Sequence, residues 1–217
     1  MLQGKKLSIL GDSLSAYKNV SNDASVCDVL KYNPYFYKDP FPLEKMYWSR
    51  LLREFGMTLC VNNSWSGGNL SGRDNPDAGV NRAHRLSRDD GTMPDVIIVL
   101  MGMNDLGRNV PLEVFADDYQ RTLNTVRNTY PDAEVCCVNL PDRDDKLKAR
   151  AEAFNRVISH AVQVAGDRFF VVDLFSSRLN NDFYYTNTVD GLHPDEDGMR
   201  IISEVIADAW RVRFAKT

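Results

Sequence analysis

Five short stretches, residues 7–10, 58–61, 96–101, 135–138 and 169–172, are almost continuously apolar. Runs of this length read as strands buried on both faces of a parallel sheet, because half-exposed strands would alternate apolar and polar positions. Between them the apolar positions recur with helical spacing. Leu112, Phe115, Ala116, Tyr119, Leu123 and Val126 share one face behind Pro111, which suits a first helical turn. Leu147, Ala151, Phe154, Ile158 and Ala161 form a second stripe, and Ile202, Val205, Ile206 and Ala209 a third. This last helix is expected to start after Pro194, with Asp195, Glu196 and Asp197 in the turn where the helix dipole favours acids. Another helix is expected around residues 49–55. Strand and helix thus alternate, which predicts an α/β fold: a parallel sheet covered by helices on both sides through right-handed crossovers. Such sheets place their sites beyond the carboxyl ends of the strands. The polar, glycine-containing segments 11–15, 62–69 and 102–105 follow the first three strands and therefore carry most of the functional information.

Residues 17–48 break the alternation. They hold eight aromatics, from Tyr17 to Trp48, interrupted by Pro34, Pro40 and Pro42. A disordered linker is poor in aromatics, so an ordered insertion is expected here, packed over the domain or beside the site. No repeat or low-complexity tract interrupts the remainder, and residues 1–217 are expected to form one domain.

Charge and composition narrow the function. Acidic residues outnumber basic ones 30 to 26, for a net charge of -4, whereas nucleic-acid binding relies on a basic surface. Residues 96–101 fall far short of the roughly 20 apolar residues of a membrane helix. Lys5 and Lys6 precede only residues 7–10 before Gly11 and Asp12, too short for the apolar stretch of a secretory signal. A cytoplasmic protein with no membrane or nucleic-acid partner is expected. Cys27, Cys60, Cys136 and Cys137 form no CxxC pair and read as reduced packing residues. Three histidines, His84, His160 and His193, show no metal-ligand spacing. Neither phosphate-binding glycine motif is present, so no metal or cofactor is expected.

His84 reads as helical and surface-facing, and His160 falls in a helix that needs no histidine. His193 differs: it ends the segment Asp190-Gly191-Leu192-His193, just before Pro194. The residue before a proline is pushed to extended geometry. A short bend can then bring Asp190 to Nδ1 of His193, leaving Nε2 as a base. Such a base activates a serine hydroxyl, and Ser13 follows the first strand in Gly11-Asp12-Ser13-Leu14-Ser15. Acyl transfer also needs donors for a developing oxyanion. Asn104 offers a side-chain amide, and Gly67 or its neighbour Gly68 an unobstructed backbone N–H.

In these residues the chain resembles the SGNH hydrolases, also called GDSL esterases or lipases. Gly11-Asp12-Ser13-Leu14-Ser15 matches the nucleophile block, Asn62-Asn63-Ser64-Trp65-Ser66-Gly67 the glycine block, Gly102-Met103-Asn104-Asp105 the G-x-N-D block and Asp190-Gly191-Leu192-His193 the D-x-x-H block. The resemblance implies a three-layer α/β/α sandwich of flavodoxin-like topology with a five-stranded parallel sheet. It further implies a cofactor-free serine esterase with Ser13, His193 and Asp190 as a catalytic triad. The oxyanion hole would be formed by the N–H groups of Ser13 and Gly67 and the amide of Asn104. G-x-S-x-G is absent, so the strained elbow of the α/β-hydrolases is not expected.

Trp65 and the aromatic segment can stack on sugar rings, and no long apolar lid is evident. Small soluble esters, acetylated carbohydrates first among them, are the expected substrates. Trp65, Asn69, Arg73, Tyr184 and Tyr185 are candidate contacts. The alternatives are a lysophospholipase or thioesterase, a non-catalytic carbohydrate-binding relative, and a flavin- or nucleotide-binding protein of the same fold.

Overall fold

A computed structural model describes residues 2–17, 42–142, 145–177 and 186–215. The apolar stretches form β1 (Lys6–Gly11), β2 (Thr58–Ser64), β3 (Val96–Leu100), β4 (Glu134–Val138) and β5 (Phe169–Val172). All pairings are parallel, in the order β2-β1-β3-β4-β5. The helices are α1 (Tyr47–Phe55), α2 (Gly79–Arg82), α3 (Met103–Gly107), α4 (Leu112–Thr129), α5 (Asp145–Ala165) and α6 (Glu196–Phe214). No helix among the described residues is long and apolar enough to cross a membrane.

Because successive strand residues point to opposite faces, an all-apolar strand feeds two cores at once. β3 does this in full: Val96, Ile98 and Leu100 join Leu7, Ile9 and Val138 on one face, while Ile97 and Val99 join Leu10, Val135 and Cys137 on the other. The first core is closed by Leu51 of α1 with Ile202, Ile206 and Trp210 of α6, where the Phe55 and Trp210 rings lie 5.5 Å apart. The second is closed by Phe115, Tyr119 and Leu123 of α4 with Phe154 and Ile158 of α5. Helices on both faces make the molecule an α/β three-layer sandwich. Full burial of each such side chain contributes about 1.5–3 kcal/mol, so the two cores hold the strand ends rigidly under the site.

Several expectations shift in detail. The helix expected around residues 49–55 begins at Tyr47, and Tyr47 and Trp48 belong to the core rather than to an insertion. Tyr17 packs against that core; the other aromatics of the segment, Tyr32 to Phe41, lie outside the described residues. β2 runs on through Asn62, Asn63 and Ser64, all buried despite their polarity. The β1–β2 register shifts between Leu7 and Ser8, a local bulge, and the N–H of Val61 there donates to the Ser8 hydroxyl at 3.2 Å. Leu112 opens α4 but stays exposed. α6 starts as expected, with Asp195 as its cap: the side chain accepts the Gly198 N–H at 2.9 Å. Cys60, Cys136 and Cys137 are free and buried, and Cys27 falls outside the described residues.

Candidate active site

The chain leaves β1 for β2 on one side and later returns to β3 on the other, so the crevice of this sheet opens beyond β1 and β3. Three loops are tied together there. After β1, the Asp12 carbonyl accepts the N–H groups of Ser15 and Ala16, and the Asp12 carboxylate accepts that of Leu14 at 3.0 Å. This tight turn presents Ser13. It can close because position 11 is glycine: a Cβ there would sit 2.5 Å from Ser64 Oγ and 2.7 Å from Ser15 Cβ. After β2, the Trp65 N–H donates to the Gly11 carbonyl at 3.1 Å, and a turn brings the Gly68 N–H to the Trp65 carbonyl at 3.0 Å. Gly67, inside that turn, has φ +72°, a conformation that favours glycine. After β3, Asn104 lies in the first turn of α3 rather than in an open loop. Asp105 accepts the N–H groups of Leu70 at 2.7 Å and Ser71 at 2.9 Å, fastening α3 to the tail of the glycine loop.

The fourth segment arrives from the far end of the sequence. Thr188 and Pro194 pair as an isolated bridge, enclosing a bend. One oxygen of Asp190 accepts the N–H groups of Leu192 at 2.9 Å and His193 at 2.7 Å. The other lies 2.7 Å from Nδ1 of His193, whose Nε2 lies 3.0 Å from Ser13 Oγ. Ser13, His193 and Asp190 thus form one unbroken hydrogen-bonded chain. The His193 side chain is 5% exposed, whereas that of Asp190 is 34% exposed. Burial raises the Asp190 pKa, but the hydrogen bonds from the His193 backbone and ring and from Leu192 outweigh it and leave the carboxyl below its ordinary value. The aspartate is therefore ionised against the imidazole.

Gly67 and Gly68 differ in what their N–H groups do. The Gly68 N–H is taken by the Trp65 carbonyl, while the N–H groups of Ser13 and Gly67 have no partner among the described residues. The Asn104 amide donates to the Gly68 carbonyl at 3.0 Å and to Asp12 Oδ2 at 3.3 Å. The bond to Asp12 is the longer of the two.

Asp12 is itself unusual. Burial pushes its pKa up to about 7, aided by Asp105 and opposed by the Leu14 N–H, Arg82 and Asn104. Between the ordinary carboxylate pKa and about 7, the folded protein keeps a proton that the unfolded chain has released. Stability from this group is therefore greatest on the acid side and falls as pH rises through that window. Asp12→Asn is expected to flatten this fall: the urea midpoint of the wild type should drop more than that of the variant between about pH 4.5 and 7.5. Parallel declines would show that Asp12 does not titrate there.

Of the candidate contacts, Trp65 is half-buried beside the glycine loop. Asn69 is held by Arg108, whose Nη1 donates to Asn69 Oδ1 at 2.5 Å and to the Gly67 carbonyl at 2.7 Å. Arg73 pairs with Asp117 and Asp118 of α4. Tyr184 and Tyr185 lie outside the described residues. His84 is exposed, as expected, but occupies a turn after α2 rather than a helix; His160 is exposed on α5. Among the described residues no group of three or more His, Cys, Asp or Glu side chains is placed to hold a metal ion. Arg108 and the buried Arg82 escaped the sequence reading, because both act on backbone carbonyls.

The same fold recurs in several crystal structures. A GDSL-like lipase from Bacteroides ovatus superposes with a TM-score of 0.73 at 21% identity, covering 97% of this chain and 99% of its own. For a lipase/acylhydrolase from Enterococcus faecalis the values are 0.63 and 17%, over 96% of each chain. A family two carbohydrate esterase from Clostridium thermocellum, solved in complex with cellohexaose, gives 0.73 and 18%, over 97% of this chain and 65% of its own. No curated protein matches the sequence. The sequence pattern of the GDSL-like Lipase/Acylhydrolase family matches residues 9–201, a span that includes Ser13, Gly67, Asn104, Asp190 and His193, and the chain belongs to that family of acyl hydrolases.

Proposed function

We propose that this protein is a serine esterase acting on small soluble acyl esters, with acetylated carbohydrates as the leading class. The observation that carries the reading is the continuous chain from Ser13 Oγ through both ring nitrogens of His193 to Asp190, at 3.0 and 2.7 Å. Ser13 Oγ attacks the acyl carbonyl as Nε2 takes its proton, and ionised Asp190 stabilises the imidazolium. The N–H groups of Ser13 and Gly67 and the Asn104 amide receive the oxyanion, Asn104 exchanging its long bond to Asp12 for this one. Collapse expels the alcohol, which leaves with the proton from Nε2. Water, deprotonated by the same nitrogen, attacks the acyl-enzyme, releasing the acid and restoring Ser13.

The choice of sugar esters draws support from Trp65, a half-buried aromatic residue two positions from Gly67, since an indole suits stacking on a pyranose face. It is also in keeping with the carbohydrate esterase among the structural relatives. The test is a screen of acetylated sugars alongside p-nitrophenyl esters of increasing chain length. Acetyl esters are expected to give the highest kcat/KM, with a steady fall as the chain grows. A preference for long chains would instead mark an acyl hydrolase of the lysophospholipase or thioesterase kind.

A further inference from the structure

Arg82, the last residue of α2, is 1% exposed, yet no carboxylate among the described residues lies within ion-pair distance of it. Its donors are instead all occupied by other acceptors. Nε donates to the Asp77 carbonyl at 2.7 Å. Nη1 donates to the Asn63 backbone and side-chain oxygens at 2.5 and 2.8 Å. Nη2 donates to the Gly11 carbonyl at 3.1 Å and contacts the Met101 sulfur at 3.7 Å. This uses all five N–H groups of the guanidinium. The same group lies 5.9 Å from the centre of the Trp65 ring. Burial pulls its pKa down to about 9, with Asp12 and Asp77 opposing, so it stays charged at neutral pH.

The placement of these acceptors gives the arginine its meaning. Gly11 ends β1 and is followed by Asp12 and Ser13. Asn63 lies near the end of β2, from which the chain turns through Trp65 to Gly67. Met101 follows β3 and leads to Asn104. One planar cation therefore spans the three strand ends from which a nucleophile and two oxyanion donors emerge. A plug whose only task was to fill space would be apolar, since a buried charge loses its hydration and adds nothing to packing. Lysine can substitute only in part, because three donors on a single nitrogen cannot match a rigid fork of five.

We propose that Arg82 is a positioning residue for acyl transfer: by donating to the carbonyls of Gly11 and Asn63, it holds the turns bearing Ser13 and Gly67 in the mutual geometry that oxyanion stabilisation requires. The inference rests on the reading of Ser13 as nucleophile and Gly67 as oxyanion donor. It acts on the transition state rather than on substrate capture, so its signature is a split between kcat and KM.

The experiment compares wild type, Arg82→Met and Arg82→Lys on a soluble acetate ester, with folding followed by near-ultraviolet circular dichroism and by Tm. A parallel measurement follows the rate of Ser13 labelling by a fluorophosphonate, which forms a tetrahedral adduct in the same hole. Folded Arg82→Met is expected to lose about 10² in kcat with KM nearly unchanged, the penalty typical of a small misplacement of reacting groups. Its labelling rate should fall in parallel. Arg82→Lys, which keeps the charge and one or two of the bonds, should recover part of both rates, and its kcat and KM decide the matter alone if the Met variant does not fold. Variants that lose Tm but keep the wild-type kcat and labelling rate would show Arg82 to be structural only and overturn the proposal. A wild type that neither turns over esters nor labels at Ser13 would overturn the esterase reading itself, and this inference with it.

Discussion

A Ser13→Ala protein is expected to fold normally and to lose turnover of p-nitrophenyl acetate, by a factor on the order of 10⁶ in kcat. The fold is spared because Ser13 sits on a turn held by the Asp12 carbonyl and carboxylate, and among the described residues its hydroxyl contributes only the 3.0 Å bond to His193. The rate is lost because without Oγ there is no acyl-enzyme, and water alone must do what two easier steps did. Rapid quench of the wild type should reveal a burst of nitrophenol matching the enzyme concentration when deacylation is the slower step. A Ser13→Ala variant that keeps a substantial share of the wild-type rate would remove Ser13 from the reaction and return the site to a binding role.

Asp190→Asn should be nearly as damaging, costing about 10⁴ in kcat. The carbonyl oxygen of an asparagine can still accept the N–H groups of Leu192 and His193, so the bend from Thr188 to Pro194 should survive. What changes is the other atom. In place of an oxygen 2.7 Å from Nδ1 there would be an NH₂ donor, which stabilises the tautomer with its proton on Nε2. That proton faces Ser13, and a protonated nitrogen cannot act as a base. The measurement is kcat and kcat/KM on the same ester, together with the nitrogen chemical shifts of the His193 ring. Loss of rate with the tautomer unchanged would assign Asp190 a structural role, and retained rate would leave His193 working without it.

The sheet and the four motif segments were legible in the sequence because they are local: an apolar run, a Gly-Asp-Ser turn, an Asp three positions before a His. Local patterns survive in one dimension. What was hidden is whatever depends on partners without a residue identity. The continuation of β2 through Asn62, Asn63 and Ser64 reads as a loop on polarity, yet the Asn62 amide donates to the Ser15 carbonyl at 2.9 Å and Ser64 Oγ to Asn62 Oδ1 at 2.6 Å. Buried polar residues are stable in a strand when such bonds are made. The helix carrying Asn104 spans five residues, too few for helical spacing to show. Arg82 and Arg108 bind carbonyls, and every residue has one. Which of the two neighbouring glycine N–H groups the Trp65 carbonyl takes is likewise a matter of backbone direction. The pairing of Arg73 with two aspartates on α4 was hidden in the same way, because it joins positions more than 40 residues apart.

The bond between Ser13 and His193 joins positions 180 residues apart. Synthesis runs from the N-terminus, so on the esterase reading Ser13 has no base until the chain has grown past His193. The bend that holds His193 leads directly into α6, whose Ile202, Ile206 and Trp210 complete one core. If Ser13 and His193 act as proposed, hydrolytic competence arrives together with the docking of α6. Contacts of such long sequence separation form late, because the loop they close is entropically costly. On that reading, the rate at which ester cleavage appears during refolding should serve as a clock for the docking of α6.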